Sequence, residues 1–300
     1  MNEFYIADPT VCSSQRELGA FLKNFGPLTG RYLASFPIHW RNLVERHFQD
    51  LRVLEMEMIK SRIDDGFDSL ALVKECDSIA WNQRQDWWSN VEPLLARDQI
   101  IFKTAISNEA KHPCVQSLDD LNNWAPTTGQ KINGTTEEYV RATKVILNHG
   151  RELFLIDPYF NPFKTDRMSV LKAFLKQASL GRCQSFRIWA RTSEINKTIP
   201  IAEFVDQLKY QLNILLKEIN FNHRFKIEFN LVNDKSSKHK MHARYLFCIK
   251  GGVKFDQGFQ ILQKNEVMPI AKSVLNGLLN EFLDGCYDYK FDHASVVISV

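Results

Sequence analysis

Apolar positions recur with a helical period over several segments of this chain. The clearest segment is 199–219, "IPIAEFVDQLKYQLNILLKEI", whose apolar residues are spaced by three and four positions. Such spacing places them on one face of an α-helix. Residues 135–150, "TTEEYVRATKVILNHG", show the same period. There Thr135 and Glu138 have capping-box spacing, and Gly150 suits the C-terminal end, so we predict a helix over each segment.

Short apolar runs alternate with these helices. Residues 152–160, "ELFLIDPYF", and 185–192, "SFRIWART", have the character of buried strands, and 224–232, "RFKIEFNLV", alternates strictly between apolar and other residues. A further helix is predicted over 166–181, "DRMSVLKAFLKQASLG", with Asp166 as its N-cap. Alternation of strands and helices predicts an α/β fold with a largely parallel sheet covered by helices.

Ligands of such sheets bind outside the carboxyl ends of the strands. In this sequence that rule selects Asp157, Arg191 and the loop 233–241. Arg191 is a candidate phosphate contact, and a surface salt bridge is the equal alternative.

The N-terminal part of the chain has a different pattern. Residues 1–106 contain several helical periods, and we predict a mainly helical region there. Residues 107–134 are polar, contain prolines and glycines and lack a clear period, so we predict a linker or long loop. The α/β domain is then expected over 135–300.

Composition narrows the class of protein. Hydrophobic residues make up 44% of the 300 and charged residues 24%, which is ordinary for a globular protein. The N-terminal segment lacks the basic residues of a secretory signal, and no apolar run is long enough to span a membrane. Six scattered cysteines without a C-x-x-C pair favour reduced thiols, so we expect a cytoplasmic protein. The net charge of +3 does not by itself require a nucleic-acid partner.

Local charge is more informative than net charge. Residues 238–252 read "KHKMHARYLFCIKGG", and six Lys or Arg residues occur between Lys235 and Lys254 without an acidic residue. A basic loop at a sheet end concentrates phosphate-bearing ligands. Lys238 and Lys240 are therefore candidate phosphate contacts, although a solvated run of charges explains these lysines equally well.

His242 and Arg244 stand two positions apart, so strand alternation would point them to one face. A neutral imidazole can attack or protonate a phosphate ester while a guanidinium holds its oxygens; the alternative for a single histidine is a structural role. Asp157 could orient either side chain, or it serves the turn before Pro158. His239 and His242 have the spacing of a metal pair, but no third ligand is spaced nearby, so we predict no metal.

The segment "MHARYLFCIKGG", together with the upstream strand "LFLIDPYF", resembles the phospholipase D-like (HKD) superfamily. The family signature is His-x-Lys, an Asp after four further residues, and a glycine-rich turn. His242 matches the family histidine, Arg244 occupies the lysine place, and Gly251 and Gly252 resemble the glycine turn. Over 135–300 the resemblance implies a mixed or parallel sheet flanked by helices. It also implies chemistry through a phosphohistidine, without metal or cofactor.

Two departures from the family pattern bear on activity. Ile249 stands in the place of the family Asp, and an aliphatic side chain cannot orient an imidazole. The chain has one motif, whereas the family chemistry uses two histidines, so a second His242 would come from a symmetric partner across a two-fold interface. Some branches with a degenerate motif have lost hydrolysis and bind phosphates, including a domain of certain microtubule-interacting proteins that recognises membrane lipids. Exchange of Lys for Arg preserves oxyanion binding.

Two hypotheses of function follow, and whether the protein is an enzyme stays open. In the first, a homodimer hydrolyses phosphodiesters as a metal-independent nuclease through paired His242 residues. In the second, an inactive binding or assembly subunit clamps a phosphate backbone or a lipid headgroup. We prefer nucleic acid because no basic amphipathic helix is evident. The helices of 1–106 are candidate contacts for partner proteins, and the layout resembles bacterial proteins of antiphage gene clusters.

Overall fold

The computed structural model describes most of the chain and divides it into two compact units. The units are Asn2–Thr127 and Thr128–Val300, so their boundary falls inside the predicted linker. The described residues are 3–74, 80–95, 104–108, 115–116, 129–196, 198–221, 224–233, 235–238, 240–283 and 289–300.

The first unit is built on a parallel sheet. Its strands are β1 (Glu3–Ala7), β2 (Arg31–Ala34), β3 (Leu72–Val73), β4 (Thr104–Ile106) and β5 (Val115–Gln116). They lie in the order β3-β2-β1-β4-β5, and every described pairing among them is parallel. The helices described with them are α1 (Gln15–Leu22), α2 (Trp40–His47), α3 (Val53–Asp68) and α4 (Trp87–Leu95).

The prediction of a mainly helical region over 1–106 therefore missed this parallel sheet. The region does contain helices, but apolar faces of α1 and α3 pack against a sheet whose strands are only two to five residues long. Strands this short leave a weak alternation signal, whereas their helices repeat clearly along the sequence. Their pairing partners are distant in sequence, so no local pattern reveals the sheet.

The second unit contains a mixed sheet. Its strands are β6 (Gln130–Gly134), β7 (Glu152–Ile156), β8 (Ser185–Arg191), β9 (Lys226–Asn233), β10 (Arg244–Cys248), β11 (Gly251–Phe255), β12 (Leu262–Pro269), β13 (Lys290–Phe291) and β14 (Val296–Ser299). The order among described residues is β13-β9-β8-β7-β10-β11-β12-β6, with β14 also paired to β9. Strands β7, β8 and β9 are parallel, and the remaining pairs are antiparallel. The whole chain is thus a mixed α/β protein.

Helices cover both faces of this sheet. They are α5 (Thr136–His149), α6 (Thr165–Ser179), the single turn α7 (Thr192–Ile195), α8 (Ile201–Lys217) and α9 (Lys272–Phe282). Apolar side chains of α5, α6 and α8 share one core with β7, β8 and β9, and α9 closes a separate core on the other face.

Several predicted details of the second unit are confirmed. Thr135 caps α5 by accepting a hydrogen bond from the Glu138 N–H at 3.3 Å, although the Glu138 carboxylate pairs with Arg141. The prediction of Asp166 as the N-cap of α6 is wrong: the N-cap is Lys164, and the Asp166 carboxylate lies in the first turn, where it interacts favourably with the helix dipole. The alternating residues of β9 all face the larger core, as predicted.

The predicted linker over 107–134 is partly wrong, because β6 lies in it and pairs with β12. Most of that segment lies outside the described residues.

Within the described ranges, no helix combines the length and apolar character needed to cross a bilayer. Cys12, Cys183 and Cys248 are buried free thiols, and burial raises the pKa of Cys12 and of Cys183 to about 12.

Candidate phosphate-binding edge

One edge of the mixed sheet gathers several of the predicted site residues. The parallel strands β7 and β8 end there, and β10 begins there because it runs antiparallel to β7. The described register pairs Tyr245 with Ile156, so the next positions outward along the two strands are Arg244 and Asp157. Alternation then turns both side chains toward the face of the larger core.

Asp157 is buried at this edge, with 2% of its surface exposed. Its Oδ1 accepts a hydrogen bond from the Tyr159 N–H at 3.0 Å, and its Oδ2 accepts one from the Phe259 N–H at 3.3 Å. Desolvation raises the pKa of Asp157, and the two backbone donors and Arg244 offset part of that rise. The turn role foreseen for Asp157 is therefore present, and no hydrogen bond from it to His242 occurs among the described residues.

Two guanidinium groups contact the ring of Tyr159. The Arg191 Cζ lies 4.8 Å from the ring centroid and the Arg244 Cζ lies 5.0 Å from it, both within cation–π range. The Arg244 Nε is 4.0 Å from the Asp157 Oδ1, and its Nη1 donates to the Asp256 carbonyl at 2.8 Å. We call Asp157, Tyr159, Arg191 and Arg244 the arginine–tyrosine cluster.

The two arginines differ in accessibility. The Arg191 side chain is 6% exposed and pairs with Glu194 at 3.1 Å, whereas the Arg244 side chain is 26% exposed. Among the described residues no partner is found for the Arg244 Nη2. Of the two arginines, Arg244 is therefore the one that a ligand can reach, and Arg191 is buried against Tyr159.

Sequence reasoning missed the segment that closes the cluster. Gly258 has φ +80°, and a Cβ built there would lie 3.0 Å from the Asp157 Oδ2 and 3.2 Å from the Arg244 Cδ. Tyr139 and Asn265 hold the Gly258 carbonyl through donated hydrogen bonds of 3.3 and 2.8 Å. The available signal was a glycine among polar residues directly after a strand. Tyr159 was the other omission.

His242 and the predicted lysines lie in the connection before β10. His242, Lys238 and Lys240 are all exposed. The connection starts with an ordered turn, in which the Asn233 Oδ1 accepts the N–H groups of Lys235 and Ser236 at 3.0 and 3.1 Å. The structure thus brings these basic residues to the same edge as the cluster, without a described contact between His242 and Arg244.

Gly251 and Gly252 lie elsewhere. They follow the hairpin that joins β10 to β11, at the opposite end of β10 from Arg244. Four strand steps of about 3.3 Å separate the two ends by about 13 Å. A Cβ on Gly252 would overlap the backbone and Cβ of Phe247, so close strand approach explains this glycine. The prediction that both glycines bind phosphate together with Arg244 does not fit this geometry. Ile249, in the place of the family Asp, also lies at that hairpin and is 57% exposed.

A metal site finds no support in the described ranges, where no group of three or more His, Cys, Asp or Glu side chains could hold a metal ion. His239, half of the histidine pair considered from the sequence, lies outside the described residues.

Comparison with known proteins adds little. No protein-family model matches the chain, and no curated protein matches it. The chain is similar to a solved structure of TrmBL2, described as an archaeal chromatin protein that shows a novel mode of DNA binding. The match has 11% identity and a TM-score of 0.30, and it covers 85% of this chain and 72% of that chain. Similarity at this level carries no argument about fold or function.

Proposed function

We propose that the second unit binds the phosphate backbone of nucleic acid at the edge formed by Arg244, His242 and the lysines before β10. The observation that carries the proposal is the position of the Arg244 guanidinium. It is held in place by Asp157 and the Asp256 carbonyl, it stays partly exposed, and it lies at the edge where an ordered basic turn begins. A held guanidinium binds oxyanions with little loss of side-chain freedom.

The balance of charge supports a binding site for anions. Inside the cluster, Asp157 lies beside Arg244, and Glu194 neutralises Arg191. Further positive residues of this edge are the exposed Lys235, Lys238 and Lys240 in the connection before β10. Exposed lysines contribute mainly long-range, salt-dependent attraction to a polyanion, and Arg244 contributes the directional contact.

Binding is better supported than hydrolysis. An exposed imidazole without a described hydrogen-bond partner lacks the orienting group that a phosphohistidine mechanism needs. We therefore take the phospholipase D-like resemblance as a sign of common ancestry and propose that in this protein the related surface binds phosphate. A dimeric hydrolase that uses His242 is the outcome that a cleavage assay would reveal.

The test is fluorescence anisotropy of labelled single- and double-stranded DNA and RNA at several salt concentrations. We expect Arg244→Ala to weaken binding by about tenfold or more. The double variant of Lys238→Ala and Lys240→Ala should lower the salt slope by up to about two. Arg182→Ala removes the same charge from an exposed position at the opposite edge, before β8, and should leave binding within about twofold.

Four results would contradict the proposal. Affinity that is independent of salt, or equal losses in Arg244→Ala and Arg182→Ala, would exclude a phosphate contact at this edge. Cleavage of the labelled strands in EDTA that disappears in His242→Ala would establish a metal-independent hydrolase that uses His242 instead. Binding to phosphatidylserine vesicles without binding to nucleic acid would assign the edge to lipid headgroups.

A further inference from the structure

A second candidate site lies in the unit Asn2–Thr127, away from any role considered above. A cavity of about 750 Å³ opens beside Asp8 and Thr10, which directly follow β1, and is bounded on its other side by α2 and Trp81. Asp8 leaves the carboxyl end of a parallel strand, the edge at which doubly wound sheets bind ligands. The volume falls within the range of pockets that hold small molecules.

The strand order also marks this edge as a place where ligands bind. From β1 the chain builds outward to β2 and β3, and then returns to place β4 on the other side of β1. The order therefore reverses between β1 and β4, and such switch points open crevices for ligands. The Ser107 hydroxyl after β4 donates to the Asp8 Oδ2 at 3.1 Å and ties the two strand ends together.

Among the Asp, Glu, Lys and Arg residues that line the pocket, Arg46 is the one that can bind an anionic group. Asp8 accepts hydrogen bonds from the Thr10 N–H and hydroxyl at 2.9 and 2.8 Å, and Asp86 accepts two from Ser89 at 2.7 and 3.0 Å. Neighbouring neutral donors thus engage both carboxylates of the lining, which keep their negative charge. Arg46 also lines the pocket, is exposed, and forms no ion pair within the described part of the chain.

The walls of the pocket favour a planar ring. Trp81 and Trp87 line it, and Trp81 is held in T-shaped contacts with Phe36 at 5.6 Å and with His39 at 5.8 Å. Indole faces stack on heteroaromatic bases.

Amide side chains supply the polar contacts of the same pocket. Asn42, Gln83 and Gln85 offer both donors and acceptors, which suit the edge of such a base.

A dinucleotide fits less well than a single nucleotide. Dinucleotide sheets place a pyrophosphate on the first helix N-terminus through a glycine-rich turn, and no G-x-G-x-x-G occurs in this chain. Here the N-terminus of α1 is closed by its own residues. Ser14 accepts the Glu17 N–H, and the Glu17 carboxylate accepts the N–H and hydroxyl of Ser13. A carboxylate at that point repels phosphate.

We infer that this cavity binds a mononucleotide, with the base against Trp81 and the phosphate on Arg46. The inference goes beyond the proposed backbone binding, because it concerns a different unit, a free small molecule and none of the residues of the arginine–tyrosine cluster.

The test is isothermal titration calorimetry of the full-length protein with AMP, GMP, CMP and UMP in turn. Adenosine and ribose 5-phosphate serve as probes that lack the phosphate or the base. We expect at least one mononucleotide to bind more than tenfold tighter than either fragment. Arg46→Ala should weaken it about tenfold or more, and Trp81→Ala should do the same.

Two variants serve as controls. Arg84→Ala removes an exposed arginine of the same loop that does not line the pocket, and Arg244→Ala alters the other unit; both should keep the affinity within about twofold. The inference is overturned if none of the four mononucleotides binds at about 1 mM. It is overturned equally if Arg46→Ala, a change at an exposed position, binds like the wild type, or if adenosine binds as tightly as AMP.

Discussion

Asp157 is a carboxylate buried between two backbone donors and a guanidinium. These surroundings make the stability of the folded chain depend on pH. Burial raises its pKa above the ordinary value of 3.8. A carboxyl group with a higher pKa in the folded chain binds its proton more tightly there. Its stabilising contribution is complete below the unfolded-state pKa and is lost as the pH rises through the folded-state pKa.

We therefore expect wild type to lose stability relative to Asp157→Asn as the pH increases above about 4. The measurement is the free energy of unfolding in urea over a pH series. The amide of the Asp157→Asn variant leaves one backbone N–H without an acceptor, which itself changes the free energy of unfolding. The prediction is therefore tested by the slope of the free energy of unfolding against pH and not by its absolute value. Asp256→Asn, at an exposed position on the same segment, should follow the wild-type slope. Parallel curves for wild type and Asp157→Asn would contradict the expectation.

Gly258 and Gly277 form a matched pair for a second prediction. Gly258→Ala places a Cβ at φ +80° against Asp157 and Arg244, and should lower the free energy of unfolding by about 1–3 kcal/mol. Gly277 lies exposed inside α9 with nothing within 4 Å of a built Cβ. Gly277→Ala should raise stability by up to about 1 kcal/mol. Equal effects of the two changes in urea denaturation would exclude a special role for Gly258.

At the scale of elements, the helix α8 shows how a periodic pattern is converted into packing. Leu212 is 0% exposed in the larger core, while Tyr210 on the opposite face is 66% exposed. Leu212→Ala should cost about 2–5 kcal/mol because it removes buried methyl groups and leaves a cavity. Tyr210→Ala should change stability by less than about 0.5 kcal/mol. If both variants unfold at the same urea concentration, the assigned inward face of α8 is incorrect.

The same contrast explains what the sequence could predict. The helix α8 and the strand β9 are encoded by local periods, so both could be predicted from short windows. The sheet edge rule also selected Asp157 and Arg191, because strand ends can be located from local signals.

Contacts between distant segments could not be predicted in this way. Gly258 reaches Asp157 only through the order of β7, β10 and β11, and β1 reaches β4 across most of the first unit. Trp81 packs on Phe36 and also lines the pocket, and this second contact depends on where α2 lies.

At the scale of the whole molecule, each unit has its own sheet and its own apolar cores. The cores of the first unit are formed by residues between Phe4 and Ile106, and those of the second by residues from Ile132 onward. Tryptophans are distributed unevenly between the units. Of the 6 in the sequence, Trp189 alone belongs to the second unit; the others are Trp40, Trp81, Trp87, Trp88 and Trp124.

This distribution allows the two units to be followed separately during unfolding. Tryptophan fluorescence should report mainly the first unit, whereas far-UV circular dichroism reports helices of both. We expect Leu212→Ala to lower the denaturant midpoint of the part of the dichroism change that comes from the second unit. The denaturant midpoint of the fluorescence change should stay the same. Ile63→Ala, at a position 0% exposed in α3, should shift the fluorescence midpoint instead. If both probes move together in both variants, the two cores unfold as one cooperative system, and the division into two units does not extend to stability.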